Sequence, residues 1–349
     1  MKLKPVVYAL VSAVLFGIST PAAKELLGST SPAILAGLLY CGAGIGAAIL
    51  RRLMRSSSPV AGEAALRASD LPWLSSAILA GGVIGPLLLM TGLLHTEAAT
   101  ASLMLTLEGV ATALIAWFVF HESFDRRIAL GMGCLAVGGG VLSWSGQPTL
   151  SSWFGPLAIV GACIAWGIDN NLTRKVSLAD PLQIVELKGL VAGPFNVALG
   201  LSMGGALPSA GPTALAALVG FLGYGVSLAL FVLALRHLGT ARTGAYFSTA
   251  PFFGAAVAVL LLGETVSAQL LVAGTLMAVG VWLHITEHHD HLHVHEALEH
   301  EHAHLHDEHH QHEHGGADPV GEPHTHRHRH APLQHAHHHT PDEHHRHRH

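Results

Sequence analysis

Three carboxylates and a lysine stand where an apolar chain has least reason to keep them. Glu108 lies in LTLEGVATALIAWFVFHE, Asp169 in WGIDNN, and Glu186 and Lys188 in IVELKG, each within an otherwise apolar run. A charged side chain at the centre of a bilayer costs about 2.5–3.5 kcal/mol even on lenient insertion scales, so each needs a partner or a wet cavity. Glu108 offers a carboxyl for a solute or a proton, with Thr106 and Thr112 near enough to hydrogen-bond it. The plain alternative is a neutral glutamic acid bonded across helices. Asp169, Asn170 and Asn171 are consecutive, and helical neighbours diverge by about 100°, so at least one must face the bundle unless the three form an interfacial cap. Glu186 and Lys188 are two apart and do not face each other on a helix, so each needs its own partner, and Asp169 is one candidate for Lys188.

A second chemistry lies in HEHAHLHDEHHQHEH at 300–314, which supplies His300, His302, His304, His306, His309, His310, His312 and His314. Neutral imidazole suits Zn, Ni, Co and Cu, and neighbouring carboxylates can complete the shell. No fixed ligand spacing of the C-x-x-C type accompanies these histidines, so the pattern points to divalent metal (Zn, Ni or Co) without defining one structured site. Because imidazoles titrate near pH ~6.5, a pH-responsive polyelectrolyte is the competing reading. No cofactor is required by either.

The elements that must position these groups follow from composition. Half of the 349 residues are hydrophobic and 12% are charged. Of 29 His, 25 fall after residue 286, together with 12 acidic and four basic residues, leaving 14 basic and 11 acidic residues in the body. The body is a membrane-protein sequence and the tail is polar, without periodicity, and expected to be disordered. Ten apolar runs can cross a bilayer as helices: 5–27, 32–50, 72–94, 98–120, 127–145, 153–173, 182–203, 214–235, 243–262 and 266–286. The first is too long for a cleaved signal peptide and is taken as a retained helix. Lys/Arg bias in the connecting loops puts both termini in the cytoplasm, with twelve bases on that side and Lys24, at a helix end, on the other. Lys24 is expected to snorkel to the interface. Cys41, Cys134 and Cys163 sit in apolar runs as buried thiols.

The body repeats itself at an offset of about 142 residues. EGVATALIAWFVFHE (108–122) aligns with APFFGAAVAVLLLGE (250–264), LAVGG (135–139) with MAVGV (277–281), and more loosely LFGISTPAAK (15–24) with AWGIDNNLTRK (165–175). Each half has five spans, so the second lies upside down, an architecture typical of transporters with a site near the midplane. LFGISTP, LTLEGVATALIAWFVFHE, WGIDNN and STAPFFGAAVAVLLLGE together resemble the EamA-like branch of the drug/metabolite transporter superfamily over residues 5–286. The resemblance implies an all-α integral membrane protein of ten helices in two inverted repeats (1–146 and 147–286), followed by the tail (287–349). It also implies both termini inside and a central cavity lined by both halves, and its motifs fall on Phe16, Gly17, Pro21, Glu122, Trp166, Gly167, Pro251 and Glu264.

Gly42 with Gly46, Gly81 with Gly85, and the GMGCLAVGGG run (131–140) place small residues at helix-contact spacing. Pro86, Pro194 and Pro251 fall within spans, where freed carbonyls are tolerable only beside protein or a cavity. No P-loop for nucleotide hydrolysis and no catalytic elbow or zinc-protease motif occurs, so an enzyme is not expected. The expected protein is a bacterial inner-membrane secondary transporter of a small metabolite or drug-like solute. It works by alternating access, without a nucleic-acid partner and with room for a homodimer. Glu108, Asp169, Asn170, Asn171, Glu186 and Lys188 are the expected solute or proton pathway. A tail that feeds divalent metal to the carrier as cargo, or a metal sensor with vestigial transport, are the alternatives.

Overall fold

The computed structural model describes residues 3–57, 66–120, 126–144, 150–176, 179–238 and 240–286, and the backbone of four short tail segments. In hydrocarbon a backbone must satisfy its own polar groups, and the apolar runs accordingly close into helices. Ten helical rods result among the described residues: Leu3–Leu26, Pro32–Ser57, a third from Ala68 to Leu94, a fourth in two pieces (Ala98–Met104 and Leu107–Phe120), Arg126–Ser143, Leu150–Thr173, Pro181–Ser202, an eighth from Ala210 to Leu238, a ninth in two pieces (Thr240–Phe247 and Ala250–Leu261), and Ala268–Ile285. They follow the ten expected runs within a few residues. Six of them are each long and apolar enough to cross a membrane.

Four of the rods are not regular. The third opens into a π-helix over Ile78–Ile84 and the eighth over Phe221–Val226. The fourth is interrupted at Leu105 and Thr106, the ninth at Ser248 and Thr249, just before Pro251. Carbonyls of the first π-segment are met by side chains of other rods. Gly81 O accepts from Tyr40 Oη at 2.6 Å and from Trp166 Nε1 at 2.9 Å, and Gly82 O accepts from Asn196 Nδ2 at 2.8 Å.

Small residues set the packing. The second and seventh rods run antiparallel with Gly37 on Val197, Cys41 on Gly193, and Gly44 on Gly189, so close that backbone meets backbone. Gly138 of the fifth rod packs on Ala273 and Met277 of the tenth, and Gly280 packs in return on Gly131 and Leu135. Gly42 and Gly46 meet Ala217 and Phe221 of the eighth. Gly133 and Gly140, expected at a contact, have nothing within 4 Å. At one end of the bundle Arg51 donates from Nε to Asp180 Oδ2 at 2.7 Å and from Nη1 to Glu186 Oε2 at 2.9 Å, tying the second rod to the seventh. Lys24, in the last turn of the first rod, donates from Nζ to the carbonyls of Leu93 and Thr96 at the end of the third. Of the thiols only Cys163 is buried, and Cys41 and Cys134 are half-buried.

In the tail, β1 (Leu292–His295) pairs antiparallel with β4 (Leu333–Ala336), and β2 (Leu298–His304) with β3 (His324–His330). The second register sets Glu299 opposite Arg329 and Glu301 opposite Arg327. His306, His309, His310, His312 and His314, like Glu122, lie outside the described residues.

Gly44→Val and Gly189→Val should each destabilise the protein by about 1–3 kcal/mol or more through overpacking. Gly140→Val, in open space, should stay within about 0.5 kcal/mol of the parent. Thermal unfolding of the purified variants in detergent checks this.

Candidate functional site

The break in the fourth rod decides where Glu108 sits. Thr106 N bonds to Leu103 O and the chain restarts at Leu107, so Glu108 falls in the first turn of a new helix. The helix dipole favours a carboxylate there, although the amides of Glu108 and Gly109 are themselves bonded to Leu105 O and Thr106 O. Thr106 does not serve it, because its hydroxyl donates to Leu103 O at 2.8 Å. The partner comes from the sixth rod. Asn170 Nδ2 donates to Glu108 Oε1 at 2.9 Å and to Thr112 Oγ1 at 3.1 Å. Asn171 Nδ2 donates to Thr112 O at 3.0 Å and to Gly167 O at 2.8 Å. The two rods approach this closely because Gly167 lies on Ala111 and Thr112, where a side chain would come within 3.0 Å. Glu108, Gly109, Thr112, Ala113, Ala116, Asn170 and Asn171 line a cavity of about 400 Å³.

Asp169 faces another neighbour. Its Oδ1 accepts from Lys188 Nζ at 2.5 Å and from Thr173 Oγ1 at 2.8 Å, and Lys188 also donates to Thr173 Oγ1 at 2.8 Å. Its carboxylate occupies the room that Gly81 leaves by lacking a side chain. Glu186 sits with Asp180 on Arg51, and neither it nor Asp169 nor Lys188 lines the cavity. The six expected pathway residues therefore divide into a cavity group, an ion pair beside it and one member of a terminal clamp.

The motif residues hold the frame around this site. Trp166 bonds Gly81 O and packs on Gly85. Phe16 meets the rings of Tyr224 and Phe247, and Gly17 packs on Ala250 and Gly254 of the ninth rod. Pro21 lies within the first rod, and Pro251 opens the second piece of the ninth. Glu264 Oε1 and Oε2 accept from Ala98 N at 2.6 Å and Ala99 N at 2.7 Å, capping the start of the fourth rod. Tyr40, Arg51 and Asn196 were not anticipated. Asn196, fully buried two residues after Pro194, is the one with a visible signal, since an amide there needs a partner. Among the described residues, no group of three His, Cys, Asp or Glu could hold a metal ion.

Comparison with known proteins agrees with this architecture. The EamA-like transporter family matches residues 3–144 and 153–286. An uncharacterized transporter of Methanothermobacter thermautotrophicus is 29% identical over 287 residues, covering 77% of this chain and 82% of the relative. A crystal structure superposes with a TM-score of 0.59 at 17% identity, over 79% of this chain and 95% of the other, a likeness of fold.

Asp169→Asn or Lys188→Met alone should cost about 3–5 kcal/mol by leaving a buried charge without its partner, and the double variant should recover part of that loss. A double-mutant cycle on unfolding in detergent measures it.

Proposed function

The chain belongs to the EamA-like transporter family, and we propose that it is a secondary transporter of a small organic solute whose polar contacts are Glu108, Asn170 and Thr112. One observation carries this reading. A cavity of about 400 Å³ with Glu108, Thr112, Asn170 and Asn171 on its otherwise apolar wall opens in the bundle beside a broken helix whose first turn bears a carboxylate. Broken helices facing a solute are a recurrent device of carriers, because the exposed backbone can bond what passes.

Movement by alternating access of two inverted five-span halves is part of the proposal. The irregular features support it, since they recur at the offset of about 142 residues seen in the sequence. The π-segment at Ile78–Ile84 corresponds to Phe221–Val226, and the break at Leu105 to the end of the helix at Phe247. The Gly138 and Gly280 contacts exchange partners by the same offset. The 25 histidines of the tail support divalent metal binding, which we place beside transport as a buffer or regulator on the cytoplasmic face of an inner membrane.

Small-molecule profiling of cells and medium tests the site, comparing the full chain, Glu108→Gln and an empty control. At least one organic solute should differ several-fold with the full chain, and Glu108→Gln should abolish most of that difference. An unchanged profile, or a Glu108→Gln variant that matches the parent, refutes the proposal. A chain cut after Glu287 should keep the solute difference and lose most of the Zn or Ni retained by the purified protein.

A further inference from the structure

The tail histidines are sorted by the register of the strands that carry them. Among the described residues of the helical body, no three His, Cys, Asp or Glu come together. In the tail the backbone brings histidines together by pairing. Alternate residues of a strand belong to opposite faces, and residues directly opposite in an antiparallel pair share a face. β2 reads LEHEHAH and β3 reads HTHRHRH. His300 stands opposite His328, His302 opposite His326 and His304 opposite His324, with Leu298 opposite His330. These positions form one face of the ladder, and all but Leu298 are histidine. The other face takes Glu299 opposite Arg329, Glu301 opposite Arg327 and Ala303 opposite Thr325. β1 and β4 repeat the arrangement once, with His293 opposite His335.

The two faces together specify one register. Sliding β3 by one residue would set histidines opposite charged residues and dissolve the histidine face. Sliding it by two would keep the faces but leave a single Glu opposite an Arg, where the observed register has both. Opposite charges across a ladder favour their pairing, so the charged face fixes which histidines stand together.

Spacing then decides what those histidines can hold. Opposite positions lie about 5 Å apart and alternate positions on one strand about 7 Å apart, so two successive pairs bracket a space one ion wide. Four nitrogen ligands suit a closed tetrahedral Zn site, and neutral imidazole prefers Zn, Ni, Co and Cu to Mg or Ca. A two-stranded ladder is marginal alone in water, and an ion that binds only the paired form stabilises it.

We propose that His300, His302, His326 and His328 form a site for one divalent cation of the zinc class, and that this ion closes β2 on β3. The inference rests on the metal-binding reading of the tail and names the ligands within it.

Zn²⁺ titration of the full chain in detergent, against a competing chelator, tests it with variants that keep composition and charge. Glu301→His combined with His302→Glu moves one imidazole to the other face without changing what the tail contains. The tightest Zn²⁺ should weaken by about tenfold or more in that variant. Glu343→His combined with His344→Glu, beyond β4, should stay within about twofold of the parent. Mg²⁺ at the same concentration should not compete, and unchanged thermal unfolding of the helical body separates lost binding from lost fold. Equal Zn²⁺ affinity in the two exchanged variants would overturn the ladder and leave metal binding by the tail standing. A chain cut after Glu287 that binds Zn²⁺ as tightly as the full chain would overturn both.

Discussion

A helix in hydrocarbon has nowhere to discharge an unpaired carbonyl, and the irregularities of this bundle are organised around that constraint. A π-segment and a chain break each loosen the regular ladder, so each can persist only where other rods supply donors. Gly81 and Gly82 receive theirs from Tyr40, Trp166 and Asn196, which belong to the second, sixth and seventh rods. Those three donors therefore specify how the third rod sits against its neighbours as strictly as any apolar contact does. They also explain a tyrosine, a tryptophan and an asparagine inside a bundle that is otherwise Ala, Leu, Val and Gly.

Two crevices built on a glycine approach differ in chemistry. Between the first and ninth rods Gly17 lies on Ala250 and Gly254, and the seam is apolar and closed. Between the sixth and fourth rods Gly167 lies on Ala111 and Thr112, and the same kind of approach leaves Asn170, Thr112 and Glu108 around open space. Glycine permits the close approach in both. The side chains next to it decide whether the seam becomes packing or a site.

Much of the fold was legible because length and hydropathy act over some twenty residues at a time, and the ten rods follow the apolar runs closely. Glu108 and the three polar residues at 169–171 stood out for the same reason, as polar atoms in an apolar medium. The pairing of Asp169 with Lys188 was suggested by need and fulfilled by geometry. The break before Pro251 had a proline to mark it, whereas the break at Leu105–Thr106 and the π-segments were not legible, since Leu105–Thr106 has no proline or glycine and a π-turn has no residue signature. The partners of Lys24 were not legible either, because the two carbonyls it meets at the end of the third rod lie some seventy residues away in the chain.

The cap made by Glu264 has a mechanical side. Its two oxygens hold the backbone amides of Ala98 and Ala99, so the far end of the ninth rod and the near end of the fourth are clasped as one stiff piece. Each of these rods is jointed further along, at Leu105–Thr106 and at Ser248–Thr249. A tilt of the clasped piece would load both joints together, and the joint in the fourth rod directly precedes the turn that carries Glu108. The pair has the geometry of a lever with a shared handle and two fulcrums, one of them beside the carboxylate.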